Sequence, residues 1–436
     1  MALSFAHGAV QWLAADAATT VYTVSGLAFQ PKALRFYWNG LQSATDADSE
    51  ALSSRRGVGF AVSTSDRRCV ASLDTDASAS TACPTGSRDD AIAATVTTAP
   101  AFDGLLDLNS ITSDGFTLIV DDAAPVNLTV FWEAWGGSDI TVAATGVAPV
   151  VATGDADYTV TGFAVNAIDQ VVMFAGVQTL AAENSATAEN SGLNVGFASG
   201  PNAANNIVVY GGQDHASAAA DTDGYCDTGL CIVKGATPGG DANTSATLTA
   251  WIANGFRLTW VGAIFNRRNI WLAIKGGNWR AGSYTIEGQT LNATATVNGL
   301  GFTPIGVCLM GRMTAEQTYP TVTAQDRISL GTGTSTTSRR SMGHLSEDAV
   351  DPTEIDLTLQ YDQVLCFPSD AGALLTAYDI AAMDVDGFSI INDLAGGVTA
   401  EWHGYLVFGN SPSSPVFSQS ITSRSLFGNH LNKLFR

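Results

Sequence analysis

The chain alternates between short apolar segments and clusters of Gly, Ser, Asp and Thr. Residues 21–26 alternate apolar with polar side chains, residues 33–38 form an apolar run, and residues 116–120 follow an Asp-Gly turn signal. Such segments predict short β-strands joined by turns. Helical spacing is scarce; the strongest helix prediction covers residues 371–383, which we expect to cap or connect sheets.

Four motifs recur three times in the same order: a Val-x-Gly opening, a Gly-Phe strand, an Asp/Asn-Gly-Phe turn and a closing Trp strand. The Gly-Phe strand is only faint in the third copy, where residues 330–332 read Leu-Gly-Thr. The opening glycines Gly26, Gly162 and Gly299 stand 136 and 137 residues apart. Repetition at a fixed period indicates a repeated structural unit. The landmark residues are Gly26, Phe29, Gly115, Phe116, Trp132, Gly162, Gly255, Phe256, Trp271, Gly299, Phe302, Gly387, Phe388 and Trp402.

The repeats predict three tandem domains, at residues 1–138, 139–279 and 280–410, followed by an arm at 411–436. About eight short strands in each repeat fit a two-sheet antiparallel sandwich of the jelly-roll kind. The predicted fold class is therefore all-β, with three antiparallel β-sandwich domains. Three fused copies allow either a pseudo-threefold arrangement or an extended rod.

The landmark residues fit structural roles. Gly26, Gly59 and Gly115 suit turns or bulges that need a positive φ. We expect Trp132, Trp271 and Trp402 to face the core from the final strand of each repeat. The alternative is a recurring platform of tryptophans that stacks on carbohydrate.

Composition supports a folded chain and disfavours one class of partner. The sequence is 46% hydrophobic and 14% charged, so it has enough apolar surface to form cores. Lys and Arg number 20 against 41 Asp and Glu, a formal net charge of −21. Nucleic acid is therefore not expected as a partner, because the phosphate backbone would be repelled.

We expect neither membrane insertion nor a secretory signal. No segment has the roughly 18 uninterrupted apolar residues of a membrane span, and no basic residue precedes Lys32. The six cysteines are too few for a disulfide scaffold. They are predicted to be free thiols, or, for Cys226 and Cys231, a disulfide that clamps a loop.

The sequence predicts no catalytic residue, no cofactor and no metal site. The five histidines lack metal-binding spacing, and no nucleophile elbow, P-loop or dinucleotide motif occurs. The acidic segments 74–76 and 221–224 resemble fragments of calcium loops but lack a downstream Glu, which favours solvated turns. A glycan-cleaving depolymerase remains an alternative, since a carboxylate pair is defined by distance in space.

The final 26 residues differ from the rest, since they contain three basic residues and no acid. Apolar residues repeat there at helical spacing, so the arm could dock on an acidic neighbouring subunit or fold onto the third domain. The predicted docking residues are Arg424, Phe427, Leu431, Lys433, Leu434, Phe435 and Arg436.

The opening, the Asp-Gly-Phe-Thr-Leu segment and the closing Trp strand together resemble repeated β-domains in structural proteins of tailed bacteriophages and related viruses. The resemblance covers nearly the whole chain in three passes and fades in the third, where Trp402 is not followed by Gly-Gly. The best-matching residues are Gly26, Phe29, Pro31, Lys32, Ala33, Gly115, Phe116, Trp132, Gly136 and Gly137.

The resemblance implies a non-enzymatic virion protein: a head decoration or fibre protein, or a component of the tail adsorption apparatus. Expected partners are capsid or tail subunits, other copies of the chain in the particle and, as a further candidate, a glycan of the host surface. The protein would be made in the host cytoplasm and released by lysis. The alternative function is that of a tandem carbohydrate-binding module protein.

Overall fold

The computed structural model describes residues 2–50, 52–149, 152–179, 182–188, 190–235, 242–262 and 267–410. These residues form 33 strands, all in antiparallel pairs, and one 3-10 turn at Pro201–Ala203. The prediction of an all-β fold built from antiparallel sheets is confirmed. The strands fall into three sets of eleven, called units 1, 2 and 3, rather than about eight per repeat.

The strands of unit 1 are β1 (Leu3–Trp12), β2 (Val21–Val24), β3 (Pro31–Trp38), β4 (Ala47–Ser49), β5 (Ser54–Ser63), β6 (Asp66–Asp74), β7 (Thr85–Arg88), β8 (Ala93–Val96), β9 (Phe102–Thr112), β10 (Gly115–Asp122) and β11 (Leu128–Gly137). The strands of unit 2 are β12 (Val142–Pro149), β13 (Gly154–Thr159), β14 (Gln170–Thr179), β15 (Ser185–Thr187), β16 (Leu193–Ser199), β17 (Asn205–Gln213), β18 (Thr222–Thr228), β19 (Ile232–Gly235), β20 (Ala242–Ile252), β21 (Gly255–Val261) and β22 (Arg267–Lys275). The strands of unit 3 are β23 (Asn278–Ile286), β24 (Thr294–Asn298), β25 (Thr303–Gly311), β26 (Thr323–Ala324), β27 (Asp326–Ser335), β28 (Ser338–Ser346), β29 (Ile355–Gln360), β30 (Leu365–Pro368), β31 (Leu374–Asp384), β32 (Gly387–Leu394) and β33 (Glu401–Asn410).

The helix predicted over residues 371–383 is wrong, because this segment forms β31. Its Ala, Leu and Met residues favour helix locally. Pairing with β30 on one side and β32 on the other overrides that preference and buries Tyr378 and Ile380 in the sheet.

Each unit contains a large sheet and a four-stranded sheet with the same strand order. In unit 1 the large sheet runs β1-β11-β3-β5-β6-β7 and the small sheet runs β2-β10-β9-β8. The first strand pairs with the last, and the second with the last but one, as in a jelly roll. The middle strands depart from that pattern, because β5, β6 and β7 continue as a meander in the large sheet.

A seventh strand completes each large sheet, and it always comes from another unit. Strand β4 of unit 1 pairs with β29 of unit 3, β26 of unit 3 pairs with β18 of unit 2, and β15 of unit 2 pairs with β7 of unit 1. The exchange returns to its starting unit, so the three units form a closed ring and not an extended rod.

The core lies in four main places. One apolar cluster fills the space between the two sheets of each unit. The fourth lies between the large sheets of all three units and includes Trp135, Met173 and Met310. Both faces of a large sheet are therefore covered, which explains the apolar run of β3 and the continuous burial along β11.

Candidate functional site at the axis of the ring

Three loops meet where the units converge, and we call them the axial loops: 75–84, 214–221 and 347–354. Each follows the corresponding strand of its unit, namely β6, β17 or β28. Each pair of axial loops is joined by two backbone hydrogen bonds. These run from Ala77 N to Thr353 O (2.8 Å), Thr353 N to Ser78 O (3.0 Å), Thr81 N to Ser217 O (2.9 Å), Ala216 N to Thr81 O (2.9 Å), Ala220 N to Val350 O (3.0 Å) and Ala349 N to Ala220 O (2.6 Å).

One alanine in each axial loop has a backbone conformation that is rare for a side chain. The φ angles of Ala77, Ala216 and Ala349 are 50°, 63° and 60°. A positive φ at alanine costs about 1–2 kcal/mol and persists only where surrounding contacts impose it. The three loops therefore adopt one shape, held by their mutual hydrogen bonds.

A buried cluster of charged residues lies at or near the ends of β5, β6, β27 and β28. Arg56 Nη2 lies 3.1 Å from Asp74 Oδ2 and forms a short ion pair with Asp326. His344 Nε2 lies 3.6 Å and 3.5 Å from the same two carboxylates. None of the four residues is more than 2% exposed.

All three units contribute to this charge cluster. Arg56 and Asp74 belong to unit 1, and Asp326 and His344 belong to unit 3. Unit 2 supplies backbone: Arg56 donates to Gly211 O at 3.4 Å, and a Cβ at Gly211 would lie 1.6 Å from Asp326 Oδ1. A side chain at this position would displace the carboxylate, so glycine is required there.

The electrostatics of the cluster favour the charged forms of Arg56 and Asp326. Burial opposes ionisation of Arg56, but Asp326 and Asp74 outweigh it and raise the pKa of the guanidinium. Burial likewise opposes ionisation of Asp326, yet Arg56 and His344 hold its pKa below the usual range. Oxygen and nitrogen atoms of Asp74, Asp326 and His344 are close enough to share a metal ion. Arg56 already occupies both carboxylates, so we assign a structural role to this set.

A second buried ion pair lies in the central core. Arg35 Nη2 donates to Glu133 Oε1 at 2.8 Å, and the Cys308 thiol donates to Glu133 Oε2 at 3.4 Å. Burial raises the pKa of Glu133, while Arg35 acts in the opposite direction. At the register of Arg35 and Glu133, unit 2 pairs Met173 with Leu272 and unit 3 pairs Cys308 with Leu406. The ion pair is therefore a feature of unit 1 alone among the three.

An acidic cluster lies at the axial loop of unit 3. Oxygens of Glu347, Glu354 and Asp356 all lie within 4.8 Å of one another. Burial and the neighbouring carboxylates raise the pKa of Glu347 and of Asp356 to about 7. Arg327, which contacts Asp370 at 2.8 Å, is the nearby basic residue that partly offsets this repulsion.

A closed polar network occupies the inter-sheet core of unit 3. Tyr378 OH donates to Glu401 Oε2 at 2.6 Å, and His403 Nε2 lies 3.3 Å from the same oxygen. The backbone N of Val398 donates to Glu401 Oε1 at 2.7 Å. Glu401, His403 and Tyr378 are fully buried, so this acid, base and phenol have no access to a substrate in solution.

The glycine landmarks divide into two kinds. Gly26, Gly162 and Gly299 have φ angles of 81°, 97° and 77°, as predicted for Gly26. The prediction is wrong for Gly59 and Gly115, whose φ angles are not positive. These glycines are required by close backbone contact instead, since an added Cβ would lie 1.8 Å from Ile92 O and 1.9 Å from Val24 O respectively. Gly255 and Gly387 make the same contact in units 2 and 3.

The tryptophan landmarks occupy equivalent positions in units 1 and 2, but Trp402 does not occupy that position in unit 3. Trp132 lies opposite Gly8 and Trp271 opposite Gly146, whereas Tyr405 occupies the corresponding position opposite Gly282. These rings pack edge-on against the landmark phenylalanines Phe116, Phe256 and Phe388, with centroids 5.4, 5.5 and 5.2 Å apart. Trp402 lies three residues earlier and faces the central core. Phe29 and Phe302 pack on the inter-sheet cores of their own units.

All nine tryptophans lie among the described residues, and each is between 0% and 7% exposed. None can present its ring to a sugar. The expectation that the landmark tryptophans belong to the core therefore holds, although Trp402 belongs to a different core from Trp132 and Trp271.

The cysteines follow one of the two predicted alternatives, whereas the acidic segments differ from expectation. All six cysteines are free and buried, and burial raises the pKa of Cys69 above its ordinary value. Cys226 lies in the central core and Cys231 in the inter-sheet core of unit 2, so the proposed disulfide is absent. The segments 74–76 and 221–224 are not simply solvated turns, because Asp74 is 0% and Asp223 is 4% exposed.

The predicted docking residues all lie outside the described residues, namely Arg424, Phe427, Leu431, Lys433, Leu434, Phe435 and Arg436. Among the described residues, no helix has the length and apolar character needed to cross a bilayer. The chain matches no protein-family model and no curated protein.

Proposed function

We propose that this protein is a non-enzymatic structural component of a virion, in which one chain occupies a threefold position as a ready-made trimer. The observation that carries the proposal is the closed exchange of β4, β15 and β26 among the three units. Identical protomers of an oligomer can exchange an element with one another, and here the exchange takes place within a single chain.

The ring has the contacts of an obligate assembly. Its three units share a continuous apolar core, a four-residue charge cluster and six backbone hydrogen bonds between axial loops. Obligate interfaces resemble a domain core and leave no independently stable subunit. Such a particle component holds its shape without depending on the concentration of free subunits.

The chemistry of the described residues favours a scaffold over a catalyst. Two sets of ionisable groups in the core, Arg35–Glu133 and Tyr378–Glu401, are sealed from solvent and paired with one another. The net charge of −21 would repel a packaged genome, which suits a position on the outside of the particle. The basic arm at 411–436 supplies the opposite charge for attachment to an acidic neighbour.

Burial of every tryptophan counts against a carbohydrate-binding module that uses tryptophan platforms. No described feature favours that alternative specifically, so the structural role is the one we put to test.

The test is co-purification with particles. Particles released by lysis of the producing culture are banded in a density gradient, washed at high salt and analysed by peptide mass spectrometry. We expect the chain to remain in the particle band, while an acidic soluble host protein of similar mass is washed away. Confinement of the chain to the soluble fractions would overturn the proposal.

A further inference from the structure

We propose that Glu347, Glu354 and Asp356 form a binding site for a hard divalent cation, with Ca²⁺ as its ligand. This inference is independent of the virion proposal. It concerns an acidic cluster that none of the sequence motifs singled out.

The hairpin β28–β29 brings the three carboxylates together. Glu347 follows the last residue of β28, Glu354 precedes β29, and Asp356 is the second residue of β29. The backbone N of Glu347 donates to Glu354 O at 3.2 Å, which closes the base of the axial loop. One oxygen from each side chain lies within 4.8 Å of the others. Calcium–oxygen distances are about 2.3–2.6 Å, so a cation placed between oxygens at this separation could reach all three.

The buried oxygens of this site lack ordinary partners. Asp356 is 0% exposed, and neither of its carboxylate oxygens has a hydrogen-bond partner of normal geometry. Glu347 Oε1 is also buried without one, although the Glu347 carboxyl group contacts that of Asp370. Buried polar atoms are nearly always paired, and an unpaired buried carboxylate oxygen calls for a specific explanation. A cation among these oxygens provides it.

The charge of the site points the same way. Asp370 adds a fourth carboxylate to the surroundings of Glu347 and Asp356, whereas the single guanidinium of Arg327 contacts Asp370. The interaction of Asp356 with the backbone of Gly372 lowers its pKa but is outweighed by burial, Glu354, Glu347 and Asp370. A divalent cation would convert this repulsion into attraction.

The donor set selects the class of cation. All three ligands are carboxylates, which hard cations prefer, and none is a thiolate or an imidazole. The other set of potential ligands, Asp74, Asp326 and His344, includes an imidazole. Arg56 already supplies positive charge to its two carboxylates.

A cation here would bear on the whole ring. The same axial loop bonds to unit 1 through Thr353 and to unit 2 through Ala349 and Val350. Fixing Glu347 and Glu354 to β29 fixes the loop that makes these bonds. Ca²⁺ is therefore expected to stabilise the junction of all three units.

The experiment uses the purified full-length chain after treatment with EDTA. Isothermal titration calorimetry with CaCl₂ measures binding, and thermal unfolding with and without CaCl₂ measures stabilisation. The variants are Asp356→Asn and Glu347→Gln, with Asp384→Asn as the control that removes an exposed carboxylate from the same unit.

We expect the unmodified chain and Asp384→Asn to bind one Ca²⁺ and to unfold at a higher temperature when it is present. Asp356→Asn and Glu347→Gln should lose at least tenfold in affinity. Without Ca²⁺ they should unfold at the same temperature as the unmodified chain or higher, because a repulsive carboxylate has been removed, and this separates loss of binding from loss of folding. The proposal is overturned if Ca²⁺ neither binds to the unmodified chain nor raises its unfolding temperature. It is also overturned if Asp356→Asn binds Ca²⁺ as tightly as the control and gains as much in unfolding temperature.

Discussion

Arg56 and Asp326 form a buried ion pair although 270 residues separate them along the chain. The pair joins unit 1 to unit 3 beneath the axial loops, and Asp74 completes it from the strand beside Arg56. Ring closure and charge compensation therefore depend on the same contact.

Replacing Arg56 with Ala should strongly destabilise the ring. The substitution leaves Asp74 and Asp326 buried without their main counter-charge, and breaking a buried pair in this way costs about 3–5 kcal/mol. Urea unfolding followed by tryptophan fluorescence measures the loss. Arg257→Ala is the control, because Arg257 pairs with Asp157 at the surface and should change stability little. Equal effects of the two substitutions would contradict the role given to Arg56.

Replacing Gly59 with Ala should destabilise the fold more than replacing Gly26 with Ala. The added Cβ at Gly59 meets the backbone oxygen of Ile92 at 1.8 Å, so the strand must shift, at a cost of about 1–3 kcal/mol or more. Gly26 has open space around it, and its positive φ alone costs alanine about 1–2 kcal/mol. Denaturant midpoints rank the two variants. The reverse order would show that the positive φ at Gly26 costs more than the close contact at Gly59.

Stability should fall between about pH 4 and about pH 7 through Glu347 and Asp356. Their pKa values are about 7 in the folded chain, against 4.5 and 3.8 ordinarily, so the folded state retains protons that the unfolded state releases. The stabilising contribution is complete below the ordinary pKa and is lost as the pH rises through the folded pKa.

Comparison with Asp356→Asn isolates this contribution from the rest of the chain. Other groups titrate in the same range. Burial and Arg340, for example, both lower the pKa of His7 to about 4. The contribution of His7 to stability therefore increases with pH, opposite to that of Glu347 and Asp356. Urea midpoints measured in EDTA from pH 4 to pH 8 should fall more steeply for the unmodified chain than for the variant. Parallel curves would contradict the assignment.

The isolated chain should be a monomer of 45.2 kDa. The seventh strand of each large sheet is supplied within the ring, so no second copy is needed to complete it. Light scattering after size exclusion measures the mass. A stable trimer that exchanges strands between chains would show that the ring can open.

Much of the fold could be predicted from the sequence because each strand carries its own signal. The apolar run of β3 and the recurring Gly-Phe turns reflect local chemistry. The spacing of Gly26, Gly162 and Gly299 shows that the signal repeats. The helix prediction at 371–383 failed because sheet pairing decided that segment and local propensity did not.

The features at the axis had no comparable signal. The exchanged strands β4, β15 and β26 contain only two or three residues, which is too short for a periodic pattern. Asp74 and Asp356 look like surface residues until distant strands bury them. The sequence pattern aligns Trp402 with Trp132 because both are tryptophans, whereas the register shows that Tyr405 occupies the equivalent position.

The order of synthesis gives the strand exchange a directional meaning. Residues 47–49 leave the ribosome early, yet their partner in β29 emerges some three hundred residues later. Strand β4 of unit 1 therefore stays unpaired until β29 has been synthesised. The ring can close only when nearly the whole polypeptide has been made. A truncated translation product that lacks β29 therefore cannot form the closed ring, even if its first two units are folded.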